Sequence, residues 1–236
     1  MKRLTIQEAE ALADKFRVLV GIAPNEPINV KTLLRKLCIT TMYRPLSDDS
    51  YGISCKSKSG KMFMLVNCKS TRGRQHFTIA HEFYHLFYDE TPTPHMCNGT
   101  ATGEERNANM FATALLLPKG GLLNMLSAEE ISSHKVELAT ILRMEQFFGV
   151  SRNNLVIRLK KIGIVNQAQV DSILSISVKD SARAYGYDLS LYEPGNENLL
   201  IGDFGEKARL LYESGQFSEG HYYELLNMIS DGRQEN

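Results

Sequence analysis

Apolar residues recur every three or four positions over most of the chain, which is the spacing of amphipathic α-helices. The first of these segments begins after Thr5, where Glu8 completes a capping box, and ends before Pro24. Similar segments follow at residues 30–37, 72–90, 103–117, 122–126, 132–148, 154–162, 165–176, 204–212 and 218–229. The pattern therefore predicts a mainly helical protein.

The period shortens between the second and third helical segments. Residues 39–43, 51–55 and 62–66 form short runs rich in β-branched and aromatic side chains, which are typical of strands. The polar segment 57–61 separates the last two runs and predicts a hairpin turn. We therefore expect an α+β fold with a small antiparallel sheet before the helix at 72–90. The edge strand of such a sheet can receive an extended peptide.

The composition changes after residue 177. Ser, Asp, Gly, Asn and Pro are frequent up to residue 203, which is typical of irregular structure, and the last two predicted helices follow. The sequence thus predicts a first domain at residues 1–177 and a linker with a C-terminal helical appendage at residues 178–236. We expect this last part to dock on the first domain or to contact a partner protein.

Charge and cysteine content narrow the classes of partner and compartment. Lys+Arg and Asp+Glu both number 27, so no global field favours nucleic acid or an anionic membrane. No apolar run approaches the roughly 18 residues of a membrane span, and the N-terminal segment lacks a secretory h-region. The four cysteines show no close-paired spacing: Cys38, Cys55, Cys68 and Cys97. We expect free thiols in a cytoplasmic protein that contacts no membrane and does not bind nucleic acid directly.

The helix predicted at 72–90 contains the sequence His81-Glu82-Phe83-Tyr84-His85, an HExxH motif. In a helix, His81 and His85 lie on one face, so both imidazoles can reach one metal ion about 2 Å from each nitrogen. Glu82 then flanks the ion, where it can act as a general base toward water, as in zinc metalloproteases. The apolar, helical surroundings favour such a site over a chance occurrence of the motif.

Two histidines alone do not complete a catalytic zinc site, which usually has three protein ligands. Glu105, near the start of the next predicted helix, is the strongest candidate, and Asn109, one turn later, can support a ligand histidine from outside the ligand set. Glu104 is a rival if the helix register shifts by one residue, and His95 is a rival in the intervening loop. Acidic residues in a first turn also favour the helix dipole without any metal, so the choice stays open here.

Two segments together resemble the ImmA/IrrE family of metallopeptidases. They are RQHFTIAHEFYHLFYDE and EERNANMFATALLLP, and the family pattern is roughly R-x-R-F-T-x-A-H-E-x-x-H followed by E-x-x-A-N-x-F-A-x-x-L-L-x-P. The resemblance also takes in VNCKS and FGVSRNNLVIRLKKIGIV, so it covers about residues 27–165. His76 and Asn107 stand where Arg and Glu are common in the family, and neither belongs to the inferred ligand set.

The resemblance implies a zincin-like peptidase domain over the first domain, with Zn²⁺ as the cofactor. It implies His81, His85 and Glu105 as the zinc ligands and Glu82 as the catalytic base. It also implies a protein substrate, since relatives act on cytoplasmic repressors of the helix-turn-helix class. Peptide hydrolysis further needs a group that stabilises the oxyanion, for which the sequence leaves four candidates open: Tyr84, Tyr88, His95 and His134.

Two other functions compete with the peptidase hypothesis. Residues 147–151, followed by a helix with basic side chains, resemble the turn and recognition helix of a DNA-binding module. These basic residues are Arg152, Arg158, Lys160 and Lys161. The neutral net charge favours packing of this helix on the peptidase instead. The other alternative is a regulatory or antitoxin-like interaction protein that keeps the zincin fold and hydrolyses little, although the intact Glu82 argues against it. The sequence leaves the oligomeric state open.

Overall fold

The computed structural model describes residues 3–89, 95–97 and 103–230. The strands in these ranges are β1 (Ile39–Arg44), β2 (Gly52–Lys56), β3 (Met62–Asn67), β4 (His95–Cys97) and β5 (Leu200–Ile201). The helices are α1 (Ile6–Leu19), α2 (Val30–Lys36), α3 (Arg72–Tyr88), α4 (Gly103–Leu116), α5 (Lys119–Leu123), α6 (Ala128–Ser133), α7 (Leu138–Phe148), α8 (Arg152–Lys161), α9 (Gln167–Leu174), α10 (Val178–Ala184), α11 (Phe204–Glu213) and α12 (Glu219–Ser230). This content confirms the predicted, mainly helical α+β class.

The sheet is mixed rather than wholly antiparallel, which corrects the prediction. Its strand order is β4-β2-β3-β1-β5. β2 and β3 form the predicted antiparallel hairpin, but β3 also pairs with β1 in parallel. The reason is topological. After β1 the chain crosses to β2, which is not adjacent to β1, and the hairpin then returns it as β3 into the position between β2 and β1. The far edge of β2 is covered by β4, so the outer strand on that side is β4.

An aromatic cluster fixes α3 between the sheet and the helices α1 and α4. The ring of Phe16 on α1 contacts Phe83 and Phe87 of α3, and it meets Phe111 of α4 edge to face at 5.7 Å between centroids. Each fully buried ring of this kind contributes roughly 1.5–3 kcal/mol. The buried stripe of α3 therefore sets the rotation of the helix about its axis, and with it the direction of the polar side chains on its other faces.

The sheet approaches α3 most closely at Gly52. A Cβ atom at this position would lie 2.6 Å from Cγ2 of Thr78 and 3.3 Å from Oε1 of Glu82. The first distance is well inside van der Waals contact and the second is tight, so any larger residue would displace β2 or the Thr78 side chain. The glycine thereby brings β2 against the part of α3 that contains the HExxH residues.

The chain after residue 177 is joined to the part before it by buried polar contacts. The carboxylate of Glu145 on α7 accepts hydrogen bonds from Arg152 Nε at 2.7 Å and from the hydroxyl of Tyr192 at 2.7 Å. Arg152 also donates to the hydroxyl of Ser181 at 2.9 Å. In addition, β5 pairs with β1. The domain boundary at 177/178 stays a prediction, and residues 178–201 contribute to both the sheet and this buried network.

Two details differ from the predicted elements. The helix expected at 132–148 is interrupted, because His134 adopts a left-handed conformation with φ 53° that ends α6, and α7 begins only at Leu138. The sequence pattern also did not indicate β4, β5 or α10. Among the described residues, no helix is both long enough and apolar enough to cross a membrane.

Candidate metal centre

α3 places two histidine rings one above the other on its buried side. The helix is capped by Thr71, whose side chain accepts a hydrogen bond from the backbone of Arg74, and it continues without interruption to Tyr88. Nε2 of His81 and Nε2 of His85 are 3.0 Å apart. Because residues at i and i+4 of a helix lie on one face, the two Nε2 atoms face the same point.

α4 brings Glu105 to the same point. Oε2 of Glu105 is 3.2 Å from Nε2 of His81, and Oε1 is 3.6 Å from Nε2 of His85. Two ligands of a tetrahedral ion at about 2.0–2.1 Å are separated by about 3.3 Å, so the three observed distances fit one shared ion. All three side chains are buried. Among the described residues, these three form the one group with metal-ligating side chains in this proximity.

Both histidines are held by an oxygen on the side away from this point. Nδ1 of His81 is 3.0 Å from Oδ1 of Asn109, and Nδ1 of His85 is 2.5 Å from Oδ2 of Asp89. Because an amide oxygen and a carboxylate only accept, each ring donates its Nδ1 proton and directs the Nε2 lone pair inward. Two lone pairs and a carboxylate oxygen then converge, an arrangement that a cation stabilises.

Asp89 was not among the residues singled out in the sequence. Its position could have been noticed, since Asp89 follows His85 by four residues, as Asn109 follows Glu105. The predicted role of Asn109 stays a proposal, and the structure places its amide oxygen at hydrogen-bonding distance from His81.

Glu82 follows His81 on α3 and is fully buried. The hydroxyl of Ser54 on β2 donates to Oε2 of Glu82 at 2.5 Å. This contact restrains the orientation of the carboxylate. Sequence reasoning could not find Ser54, because its proximity depends on the close approach of β2 to α3 at Gly52.

A cavity of about 280 Å³ opens beside His81 and Glu105, and we call it the site cavity. α8 forms one wall of it with Asn154 and Lys161, and Arg74 of α3 and Tyr51 also line it. The candidate metal centre is therefore accessible from the cavity, as a catalytic site requires and a closed structural site does not.

Three of the four candidates for oxyanion stabilisation are absent from the residues that line this cavity. Tyr84 and Tyr88 pack into the aromatic cluster against Phe111, and burial raises the pKa of Tyr88. His134 ends α6 and its Nδ1 is 3.0 Å from the carbonyl oxygen of Gly163. None of these three residues lines the site cavity, and their role as oxyanion stabilisers stays a prediction.

Two further candidates, His95 and Glu104, lie in β4 and in the first turn of α4. The backbone of His95 belongs to β4 and that of Glu104 to α4, but both side chains lie outside the described ones. His95 stays a prediction for the oxyanion and a rival for the metal. Glu104 likewise stays a rival to Glu105.

Two of the four basic side chains of α8, Arg152 and Arg158, are buried, whereas Lys160 and Lys161 are exposed. Arg152 is buried against Glu145, and Arg158 is buried with hydrogen bonds to the carbonyl oxygen of Leu117 and to Glu10. Both guanidinium groups are therefore directed into the protein rather than toward a nucleic acid.

Comparison with known proteins agrees with these observations. The model of the Peptidase M78 family, described as the IrrE N-terminal-like domain, matches residues 34–160, more than half of the 236 residues. The matched range contains α3, α4, α8 except its last residue, and all the side chains of the candidate metal centre. A search of the curated proteins found no match to the sequence.

Proposed function

This chain belongs to the IrrE N-terminal-like family of M78 peptidases, and from that premise we propose that it is a zinc-dependent endopeptidase. The resemblance to ImmA/IrrE metallopeptidases stated from the sequence is thereby confirmed. The observation that carries the proposal is the convergence of His81, His85 and Glu105 on one point.

The donor set favours zinc. Catalytic zinc peptidase sites use two imidazoles and one carboxylate as ligands and leave one position open toward a cavity. Other divalent ions can also occupy such a site. When bound, zinc polarises the scissile carbonyl and lowers the pKa of water. His81 and His85 would hold the ion through Nε2, with Asn109 and Asp89 fixing the two rings.

Glu82 acts as the proton carrier in the proposed reaction. Its carboxylate accepts a proton from the attacking water and delivers that proton to the leaving amine when the peptide bond breaks. Ser54 keeps the carboxylate in place through the hydrogen bond to Oε2. The buried position of Glu82 excludes bulk water that would otherwise compete for the proton.

The proposed substrate is a cytoplasmic regulatory protein with a helix-turn-helix DNA-binding domain. This part of the proposal rests on the family resemblance alone. It implies that the protein itself acts in the cytoplasm and contacts its substrate rather than DNA or a membrane.

The test is a cleavage assay on purified helix-turn-helix repressors, chosen from genes that neighbour the gene for this chain. Zinc-loaded native protein and the matched Glu82→Gln variant are compared, and bound zinc is measured in both. We expect the native protein to cut one repressor at a defined bond and Glu82→Gln to keep the zinc without cutting. Equal cleavage by both proteins would remove Glu82 from the mechanism.

The interaction-protein alternative predicts a different result in the same assay. A protein that only binds its partner would hold zinc and form a stable complex with a repressor, with no cleavage by the native chain. The DNA-binding alternative predicts a salt-sensitive gel shift with a defined DNA.

A further inference from the structure

The site cavity is lined by hydrogen-bond donors from two different helices. Arg74 comes from α3, and Asn154 and Lys161 come from α8. Glu105 is the one acidic residue that lines it, and Glu105 belongs to the candidate metal ligands. A cavity with this lining has an excess of positive charge next to the reaction centre.

The guanidinium of Arg74 is held in place by aromatic rings rather than by a carboxylate. Its central carbon lies 4.2 Å from the centroid of the Tyr51 ring and 5.8 Å from that of Phe77. Within residues 3–89, 95–97 and 103–230, Arg74 forms no ion pair. Stacking on a ring leaves the edge of a guanidinium, with its N–H donors, available to a ligand.

Asn154 supplies a donor that the protein does not use. Its Nδ2 is buried and has no hydrogen-bond partner among the described residues. An unsatisfied buried amide costs roughly 1–3 kcal/mol, so a ligand that supplies the acceptor removes this cost when it binds.

Lys161 lies at the end of α8, where the surroundings are already positive. Burial lowers its pKa, and the charges of Arg158 and Arg106 lower it further. Arg106 thus adds to the positive potential on this side of the cavity, whereas the charge of Arg158 is paired with Glu10. An anion bound between Lys161 and Arg74 relieves the repulsion between like charges.

We propose that the site cavity binds a carboxylate of the substrate beside the scissile bond, with Arg74, Asn154 and Lys161 as its donors. This inference rests on the proposed peptidase function and deepens it by naming a substrate class. The cavity volume is about 280 Å³, whereas pockets for drug-sized ligands begin at roughly 300 Å³. The cavity therefore suits one amino-acid side chain better than a larger ligand. The carboxylate comes either from an internal Asp or Glu side chain or from the C-terminus of a peptide.

Cleavage specificity is measured with a proteome-derived peptide library, one half of which has amidated C-termini. Products are identified by mass spectrometry for the zinc-loaded native protein and for variants. Arg74→Gln, Lys161→Gln and Asn154→Leu each remove one proposed contact. Lys160→Gln is the matched control, since Lys160 is a neighbouring lysine of α8 whose amine contacts Gln167 outside the cavity.

We expect the native protein to cut peptides with an acidic residue at one subsite about tenfold more often than peptides with the corresponding amide. The preference should shrink to about threefold or less in Arg74→Gln and Lys161→Gln, and should persist in Lys160→Gln. Asn154→Leu should weaken it as well. Enrichment that disappears with amidated C-termini would identify the terminal carboxylate as the group bound, whereas enrichment in both halves would identify a side chain.

Cleavage without acidic preference, or a preference that the three variants leave unchanged, would overturn this inference and leave the peptidase proposal intact. Absence of cleavage by the native protein would count against the peptidase proposal instead. In that case, carboxylate binding in the site cavity is tested by NMR. The signal followed is that of the Asn154 side-chain amide, which is assigned by its loss in Asn154→Asp. A shift on addition of N-acetylglutamate amide but not N-acetylglutamine amide supports the carboxylate site, and no shift overturns it.

Discussion

Substitution of Asp89 tests how much the hydrogen bond to the ligand His85 contributes to zinc affinity. Its Oδ2 is 2.5 Å from Nδ1 of His85, and its side chain is 13% exposed, compared with 2% for the histidine. A hydrogen bond to a charged group contributes about 1.5–3 kcal/mol, and about 1.4 kcal/mol corresponds to tenfold in affinity. Because Asp89 is partly solvated, we take the lower end of that range. Asp89→Ala should therefore weaken zinc binding by about 10- to 30-fold, within the range typical of such outer partners.

Asp89→Asn separates the charge from the hydrogen bond. Asparagine keeps an acceptor oxygen for His85 but removes the negative charge, so the loss of zinc affinity should be smaller, about three- to tenfold. The dissociation constant is measured by competition with a chromophoric zinc chelator. Asp48→Asn is the control, because the side chain of Asp48 is 97% exposed.

The reasoning fails if Asp89→Ala binds zinc within about twofold of the native protein, since outer partners of this kind typically contribute at least tenfold. Urea unfolding of the metal-free variants accompanies the assay. A variant that loses zinc affinity while its metal-free stability is unchanged has lost support for the ligand rather than the fold.

Three further predictions concern the framework around the site. Gly52→Ala should lower the free energy of unfolding by about 1–3 kcal/mol, because its Cβ would lie 2.6 Å from Cγ2 of Thr78, and adding Thr78→Ser should recover most of that loss in urea denaturation. Tyr192→Phe should lower it by about 1–3 kcal/mol, because the buried carboxylate of Glu145 loses a donor. Deletion of residues 178–236 should lower the thermal midpoint, because β1 loses its partner β5 and Glu145 loses Tyr192.

Each of these predictions has a control in the same chain. Gly220→Ala on α12 should not destabilise the protein, because nothing lies within 4 Å of its added Cβ. Tyr185→Phe should have no effect beyond a few tenths of a kcal/mol, because Tyr185 is exposed. Deletion of residues 203–236, which keeps β5, should cost less than the longer deletion. A loss of equal size in a control and in its matched variant would contradict the corresponding explanation.

The residues of the candidate site could be predicted from the sequence where their proximity is local. His81 and His85 lie on one helical turn, and Glu105 begins a helix whose apolar pattern is plain. Helical periodicity alone brings the first two together, and the paired motifs of the resemblance supplied the third. Asp89 was missed although the same four-residue spacing indicated it.

The remaining features depend on contacts between distant segments. β4 has three residues and β5 has two, too few for a period-two pattern, and the parallel pairing of β1 with β3 follows from the path of the loop between them. The contact between Ser54 and Glu82 depends on the close approach at Gly52. Nothing in the local sequence of α8 indicates that it forms one wall of the site cavity.

The metal content of the purified protein tests the central claim most directly. It is measured in the native chain beside Glu105→Gln and Glu105→Ala, with Glu206→Gln as a control on the exposed surface of α11. We expect about one zinc ion per chain in the native protein and the control, and none in either variant at position 105. Zinc retained in both variants would contradict the ligand set of His81, His85 and Glu105, and no zinc in the native protein after reconstitution would contradict the metal centre itself.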